Sequence, residues 1–308
     1  MGKIAFVFSG QGAQYTGMGK ELYECSPAAK AVFDMADSIR PGTSEQCFTA
    51  DTQTLSITAN TQPCVFACDL AAACAVEEKG IKPDYISGFS LGEIAALGYS
   101  GMLSYEEAFK LVCKRAELMD KAAKENKGAM AAVMKLSPEK VEEICAKFEK
   151  AWPVNYNSPA QIVVAVSEED IDPLCDEVKA QKGRAKKLAV SGAFHSPFMH
   201  DAAVGLAEYM ENIEFTEPKV PVYANVTAQP YEGEYKKLTA AQVESPVKWI
   251  SIVENMIANG VDTFIEVGVG KTLSGLIGKI NPDVKVYRLK TKQIWTILQS
   301  NPLTEISV

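Results

Sequence analysis

The chain has 308 residues, 47% of them hydrophobic and 23% charged, an ordinary globular composition with length for one large domain or two modest ones. Its 31 basic and 39 acidic residues leave a net charge of −8, the wrong sign for general nucleic-acid binding. The first apolar run, residues 4–8, is too short for a signal-peptide core, and no stretch is long enough for a membrane span, so a cytoplasmic chain with no membrane or nucleic-acid partner is expected. The eight cysteines include no C-x-x-C pair, and those in apolar helical contexts read as buried free thiols.

Residues 3–8 read as a buried strand, followed by the turn Ser9-Gly10-Gln11-Gly12. A helix is expected over 61–79, small and apolar on several faces, then a strand over 84–88 and helices over 91–99 and 104–124. Ser104 and Glu107 have the spacing of a capping box. From about Gly128 the rhythm changes. Strands over 129–136, 152–156, 161–166 and 186–190 alternate with helices over 137–150 and 171–182, with Asn157-Ser158-Pro159 as a turn. That β-α-β-β-α-β order is the ferredoxin-like arrangement. Helices over 196–213, 247–259 and 271–280 then alternate with strands over 220–226, 263–267 and 284–289. Such alternation implies a mainly parallel sheet covered on both faces. The expected architecture is α/β: a large discontinuous domain, 1–126 with 197–308, interrupted by a ferredoxin-like α+β subdomain, 127–196.

Two glycine motifs are false leads. Gly268-Val269-Gly270-Lys271-Thr272 lacks the earlier glycine of a phosphate loop, Ile265 standing in its place, and Gly10-Gln11-Gly12 is followed by Tyr15 where a dinucleotide loop needs its third glycine. The informative motif is Gly88-Phe89-Ser90-Leu91-Gly92, a G-x-S-x-G between a strand and a helix. Its turn is so sharp that glycine is needed on both sides. It exposes the serine hydroxyl beside the free N–H groups of a helix start.

A serine nucleophile needs a base, and the chain has two histidines. His195 follows a predicted strand, where an α/β scaffold places catalytic loops, and it is favoured as general base. His200 reads as a partly exposed helix residue. Arg115 falls among Ala108, Leu111, Val112, Leu118 and Met119 on the apolar face of its helix. An arginine there is either held in a structural ion pair or free to clamp a ligand carboxylate, and spacing alone leaves both open.

Taken together these residues resemble the malonyl-CoA:acyl-carrier-protein transacylase family, along nearly the whole chain. The resemblance rests on Phe8-Ser9-Gly10-Gln11-Gly12-Ala13-Gln14, Gly88-Phe89-Ser90-Leu91-Gly92-Glu93, Arg115, Asn155-Tyr156-Asn157-Ser158-Pro159, Gly192-Ala193-Phe194-His195-Ser196, Gln242 ahead of Pro246-Val247-Lys248-Trp249, and Glu266-Val267-Gly268. It implies a hydrolase-like large domain and a ping-pong transfer of malonyl from CoA to the phosphopantetheine thiol of a carrier protein. Ser90 would be acylated, with His195 its base and the Gln11 and Leu91 amides its oxyanion hole. Arg115 would hold the malonyl carboxylate. Gln242, with Asn157, would orient His195 in place of a third carboxylate, and Phe194 fits a malonyl rather than a branched acyl group. No metal and no permanently bound cofactor are expected, and the chain is read as a monomer.

The chain departs from the family pattern at Phe89, where histidine is usual, and at Val269, where proline is usual; residues 290–308 match nothing in the family, and 294–298 could dock as a terminal helix. Lys182, Arg184, Lys186 and Lys187 form a basic run; Arg184, Lys186 and Lys187 in it either receive the carrier protein or CoA phosphates, or make a solvated strand edge. Two other functions compete. A serine esterase or thioesterase explains Ser90 and His195 but not Arg115; a non-catalytic protein of the same fold would take up no acyl group.

Overall fold

The computed structural model describes residues 2–288. The chain runs β1 (Lys3–Phe8), α1 (Lys20–Cys25), α2 (Pro27–Ile39), α3 (Thr43–Thr49), α4 (Thr52–Leu55), α5 (Thr58–Glu78), β2 (Tyr85–Gly88), α6 (Leu91–Tyr99) and α7 (Tyr105–Glu125). Then follow β3 (Gly128–Met134), α8 (Pro138–Cys145), β4 (Ala151–Ser158), β5 (Gln161–Ser167), α9 (Ile171–Ala180) and β6 (Arg184–Lys187). The described residues end with α10 (His200–Met210), β7 (Val222–Tyr223), α11 (Tyr235–Ala241), α12 (Trp249–Ala258), β8 (Val261–Val267), α13 (Thr272–Ile280) and β9 (Lys285–Arg288).

Two sheets organise these elements. The first has the order β7-β2-β1-β8-β9, every neighbouring pair parallel. Helices cover both faces, as parallel strands require. α5 is apolar on nearly every side, buried from Thr58 to Val76 with few interruptions, because it runs through the interior between α2, α6 and α7. The second sheet, β4-β5-β3-β6, is antiparallel throughout. Its strand order and its β-α-β-β-α-β succession are those of a ferredoxin-like unit. Its own core is Val133, Ile144, Ile162, Val164 and Leu174.

The two sheets are linked through the segment before α12, which bridges to β4 and bonds back to the chain just beyond β7. Tyr156 N–H donates to Val247 O at 3.0 Å, and Val247 N–H donates to Val154 O at 2.9 Å. This seam carries β4 alongside the edge of the first sheet where the site lies.

Several expected elements are shorter than the sequence suggests. The helix expected over 137–150 stops at Cys145, because the chain turns through Phe148 to start β4 at Ala151. Asn157 and Ser158 belong to β4 rather than to a turn. The strand expected over 186–190 is Arg184–Lys187, and that over 220–226 is only Val222–Tyr223. The helix expected from 196 opens with a 3-10 turn, Pro197–Met199, and becomes α-helical at His200. The capping box on α7 is present as expected. The pattern missed α1 to α4 and α11, although Ser26 caps α2 with Pro27 at its first position, a legible start signal. The terminal helix considered over 294–298, and Leu289 of the last expected strand, lie outside the described residues.

Candidate active site

Parallel pairing places three turns at one edge. Phe8 is in register with Gly88 in β2 and with Val267 in β8, so the segments after all three strands leave from the same carboxyl-terminal edge. That edge is where open parallel sheets bind ligands.

The Gly88–Gly92 turn is sterically closed. A Cβ on Gly88 would lie 1.9 Å from the carbonyl carbon of Gly92, and one on Gly92 would lie 2.4 Å from the carbonyl oxygens of Phe8 and Ser9. Ser90 takes φ 56° and ψ −108°, a region costly for any residue with a Cβ. This geometry aims Oγ away from the sheet at the start of α6.

His195 also has a positive φ, 60°, and is 4% exposed. Its N–H donates to Val243 O at 3.1 Å, and Ser196 Oγ donates to Ala193 O at 2.6 Å. Both bonds fix the loop. Its Nδ1 lies 2.9 Å from Gln242 O and 3.2 Å from Ser245 O. Carbonyls only accept, so Nδ1 carries the proton and Nε2 is the free base. Nε2 stands 2.7 Å from Ser90 Oγ. Burial, reinforced by the nearby Arg115 charge, pushes the imidazole down to about 4 against the pull of the two carbonyls.

Arg115 is 1% exposed, on the apolar face of α7 as its spacing predicts. Nη1 donates to Gln62 Oε1 at 2.6 Å. Nη2 donates to Gln242 Oε1 at 2.8 Å and to Ser90 Oγ at 3.0 Å. Nε is buried without a partner. Among the described residues no carboxylate forms an ion pair with this guanidinium, so a structural ion pair does not explain it. Burial lowers its pKa to about 10, partly offset by the charge of Glu93.

Gln242 stands differently from expectation. Its backbone carbonyl, not its side chain, orients His195. The side chain instead bridges Arg115 and Ser90, with Nε2 donating to Ser90 O at 2.7 Å. Asn157 makes no hydrogen bond to His195: its Oδ1 is buried and unpartnered in β4, because the Gln242–Ser245 carbonyls already occupy Nδ1. Phe194 is buried and packs in the large apolar cluster that also holds Met119.

The Gln11 loop lies against the serine turn. A Cβ on Gly10 would meet Phe89 O at 2.7 Å, and Phe89 N–H donates to Phe8 O at 3.0 Å. Leu91 is the first residue of α6, where an amide has no intrahelical acceptor. Phe89 packs edge-on to Trp249, 5.6 Å between ring centres. His200 pairs with Glu244 at 2.9 Å on the surface. Arg184, Lys186 and Lys187 are exposed on the edge strand β6, and Lys187 is engaged by Asp172 at 2.7 Å.

Sequence reasoning missed Gln62, Asp69 and Asn225. Gln62 and Asp69 are seven residues apart on α5, two turns along one face. Asp69 accepts from Ser9 Oγ at 2.8 Å and from Val269 N–H at 3.1 Å, tying two of the three turns together. Their signal was available: apart from Thr61 and the cysteines, they are the polar side chains in the otherwise apolar run from 61 to 76. Asn225 gave no such signal.

A parallel α/β sheet that presents a serine on a strained turn to a neutral histidine, beside a buried arginine with no carboxylate partner among the described residues, defines an acyl-transfer enzyme working through its serine. Residues 5–279 match the acyl transferase domain family. The chain is 40% identical over 294 residues to the malonyl CoA-acyl carrier protein transacylase of Bacillus subtilis strain 168, spanning 92% of each. It superposes on the crystal structure of the malonyl CoA-acyl carrier protein transacylase from Clostridium perfringens with a TM-score of 0.92 and 37% identity, covering 96% of both chains. A malonyl-transacylase solved in complex with the holo acyl-carrier protein AntF, of a type II polyketide synthase, gives 0.92 and 32%, over 97% of this chain and 100% of that one. The chain is therefore an acyltransferase and belongs to the malonyl CoA-acyl carrier protein transacylase family.

Proposed function

We propose that this chain moves a malonyl group from CoA to the phosphopantetheine thiol of an acyl carrier protein, through an ester on Ser90. The observation that carries the reading is the position of Ser90 Oγ, 2.7 Å from a free imidazole nitrogen and 3.0 Å from a guanidinium that has no carboxylate partner among the described residues. Ser90 Oγ attacks the thioester carbonyl as His195 Nε2 takes its proton. The Gln11 and Leu91 amides receive the oxyanion. The C–S bond breaks, and His195 returns the proton to the departing CoA sulfur. In the second half the carrier thiol gives its proton to His195 and attacks the ester, and Ser90 recovers the proton. Arg115 holds the malonyl carboxylate with paired N–H donors.

His195 rests on two carbonyls rather than a carboxylate. Neutral acceptors fix the tautomer but stabilise the imidazolium less, so the base stays weak. A weak base suits an ester that must await a thiol rather than water. The esterase reading leaves Arg115 without a task, and nothing favours it.

This reading divides the chain into a large unit, 1–126 with 197–308, bearing Ser90, Arg115 and Gln242, and an inserted unit, 127–196, bearing Asn157 and His195. The exposed Arg184 and Lys186, with Lys187, face the acidic carrier. The enzyme acts as a monomer without a permanently bound cofactor. It works in the reducing cytoplasm, which suits the buried thiols of Cys47, Cys64, Cys68, Cys145 and Cys175.

Intact mass after mixing with malonyl-CoA, acetyl-CoA and methylmalonyl-CoA tests the reading. A malonyl increment is expected on the parent chain and none on Ser90→Ala. An increment that survives Ser90→Ala would assign the nucleophile elsewhere, and rapid release of free malonate without an acceptor would favour the esterase.

A further inference from the structure

The strained Ser90 conformation needs something to hold it. Gly88 and Gly92 permit the turn but exert no force on it. One buried side chain holds it at two points. Asn225 Oδ1 accepts the Ser90 N–H at 2.8 Å, and its Nδ2 donates to Gly88 O at 2.7 Å. A single planar amide thus spans the turn, and with Asn225 fully buried water does not compete for either bond.

The brace is itself anchored. The Asn225 N–H donates to Glu93 Oε2 at 2.6 Å, and Lys248 N–H donates to Asn225 O at 3.1 Å. Glu93 is fully buried and takes the Tyr231 hydroxyl on its other oxygen. Gln242 Nε2, which donates to Ser90 O, lies 3.5 Å from Asn225 Oδ1. The turn is therefore gripped at three backbone groups, Gly88 O, Ser90 N–H and Ser90 O, by the side-chain amides of Asn225 and Gln242.

We infer that Asn225 is a positioning residue for acyl transfer: its amide locks the Ser90 backbone in the conformation that aims Oγ at His195. The inference rests on Ser90 being the nucleophile. The same bond occupies the Ser90 N–H, which leaves the oxyanion to other amides. The task needs one acceptor and one donor on a short planar group. An ionised aspartate has no donor for Gly88 O, and alanine has neither.

The experiment follows malonyl-Ser90 formation by quenched-flow intact mass at saturating malonyl-CoA, together with KM and thermal melting, for the parent, Asn225→Ala and Asn225→Asp. Asn225→Ala should lose about 100-fold in acylation rate, the scale of a misplaced reacting group, with KM for malonyl-CoA nearly unchanged. In Asn225→Asp the protonated carboxyl restores one acceptor and one donor. The ratio of its rate to the parent's should therefore rise as pH falls from about 8 to about 6, while the Asn225→Ala ratio stays flat. The titrating and charged groups facing the new carboxyl are Glu93, Tyr231, Arg115 and His195, and dividing by the parent rate removes their own effects. Asn225→Asp conserves volume and carries the test alone if truncation prevents folding. A loss that only follows the unfolded fraction, an Asn225→Ala rate within about threefold of the parent, or a flat Asn225→Asp ratio would overturn the inference. A parent chain that takes up no malonyl group would remove the Ser90 reading, and this one with it.

Discussion

Arg115 Nη2 donates to Ser90 Oγ at 3.0 Å while its Nη1 is held by Gln62 at 2.6 Å. A fixed positive charge therefore stands beside the nucleophile before any substrate arrives. The carboxylate of a malonyl group on Oγ lies only two carbons beyond the ester carbonyl. A guanidinium in hydrogen-bond range of Oγ needs little movement to meet it, and its donors are already desolvated.

Arg115→Ala should slow malonyl transfer by roughly 30- to 4,000-fold, since truncating a buried charge-assisted contact costs about 2–5 kcal/mol. Acetyl transfer, which brings no carboxylate, should suffer less. Parallel acylation rates with malonyl-CoA and acetyl-CoA check this; equal losses would mean that Arg115 only supports the site.

The second prediction concerns pH. His195 must be neutral to take the Ser90 proton, and burial holds its pKa at about 4. Malonyl-Ser90 formation should stay level as pH falls past the ordinary histidine value of about 6.5. It should decline only near 4. The same shift has a stability consequence of defined sign. Between about 4 and 6.5 the unfolded chain binds a proton that the folded chain does not, so this residue's contribution to stability rises with pH across that window. An acid limb in the rate profile near 6.5 would contradict the buried neutral base.

A third expectation concerns the carrier protein. Lys187 is partly neutralised by Asp172, so Arg184 and Lys186 are the freer charges on β6. Reversing both to Glu should raise KM for the carrier and flatten its salt dependence. Acylation by malonyl-CoA should be unchanged if the strand serves the carrier and slower if it serves CoA phosphates. No change in either half-reaction would leave β6 as a charged sheet edge.

The turn after β1 is held from beneath by Asp69, whose carboxyl burial pushes well above its usual range while Ser9 and Val269 pull it back. Ser9→Ala removes one partner from a fully buried carboxyl. It should destabilise the chain by about 1–3 kcal/mol, read from urea unfolding. It should also loosen the Gln11 loop, lowering the acylation rate beyond what the stability change explains.

The chemistry of this protein was legible in its sequence wherever a local rule governs it. Glycines flanking a serine between a strand and a helix define the turn without tertiary information, because only the missing Cβ atoms allow it. With two histidines in the chain, the base was a choice of one from a short list. The apolar spacing around Arg115 announced a buried charge, though not which partner, if any, it had. The β-α-β-β-α-β order announced the second sheet because its four strands lie in one continuous stretch, 128–187, and pair with one another.

What the sequence could not supply depends on contacts between distant segments. Gln242 orients His195 through a carbonyl that every residue possesses, so no side-chain signal exists. Asn225 is 135 residues from Ser90 and sits beyond a two-residue strand, where nothing local distinguishes it from a loop asparagine. Its role appears only when parallel pairing lays β7 beside β2 and brings its amide under the turn. Sequence determined which groups are reactive; the packing of the two sheets decided which buried amides and carbonyls hold them in place.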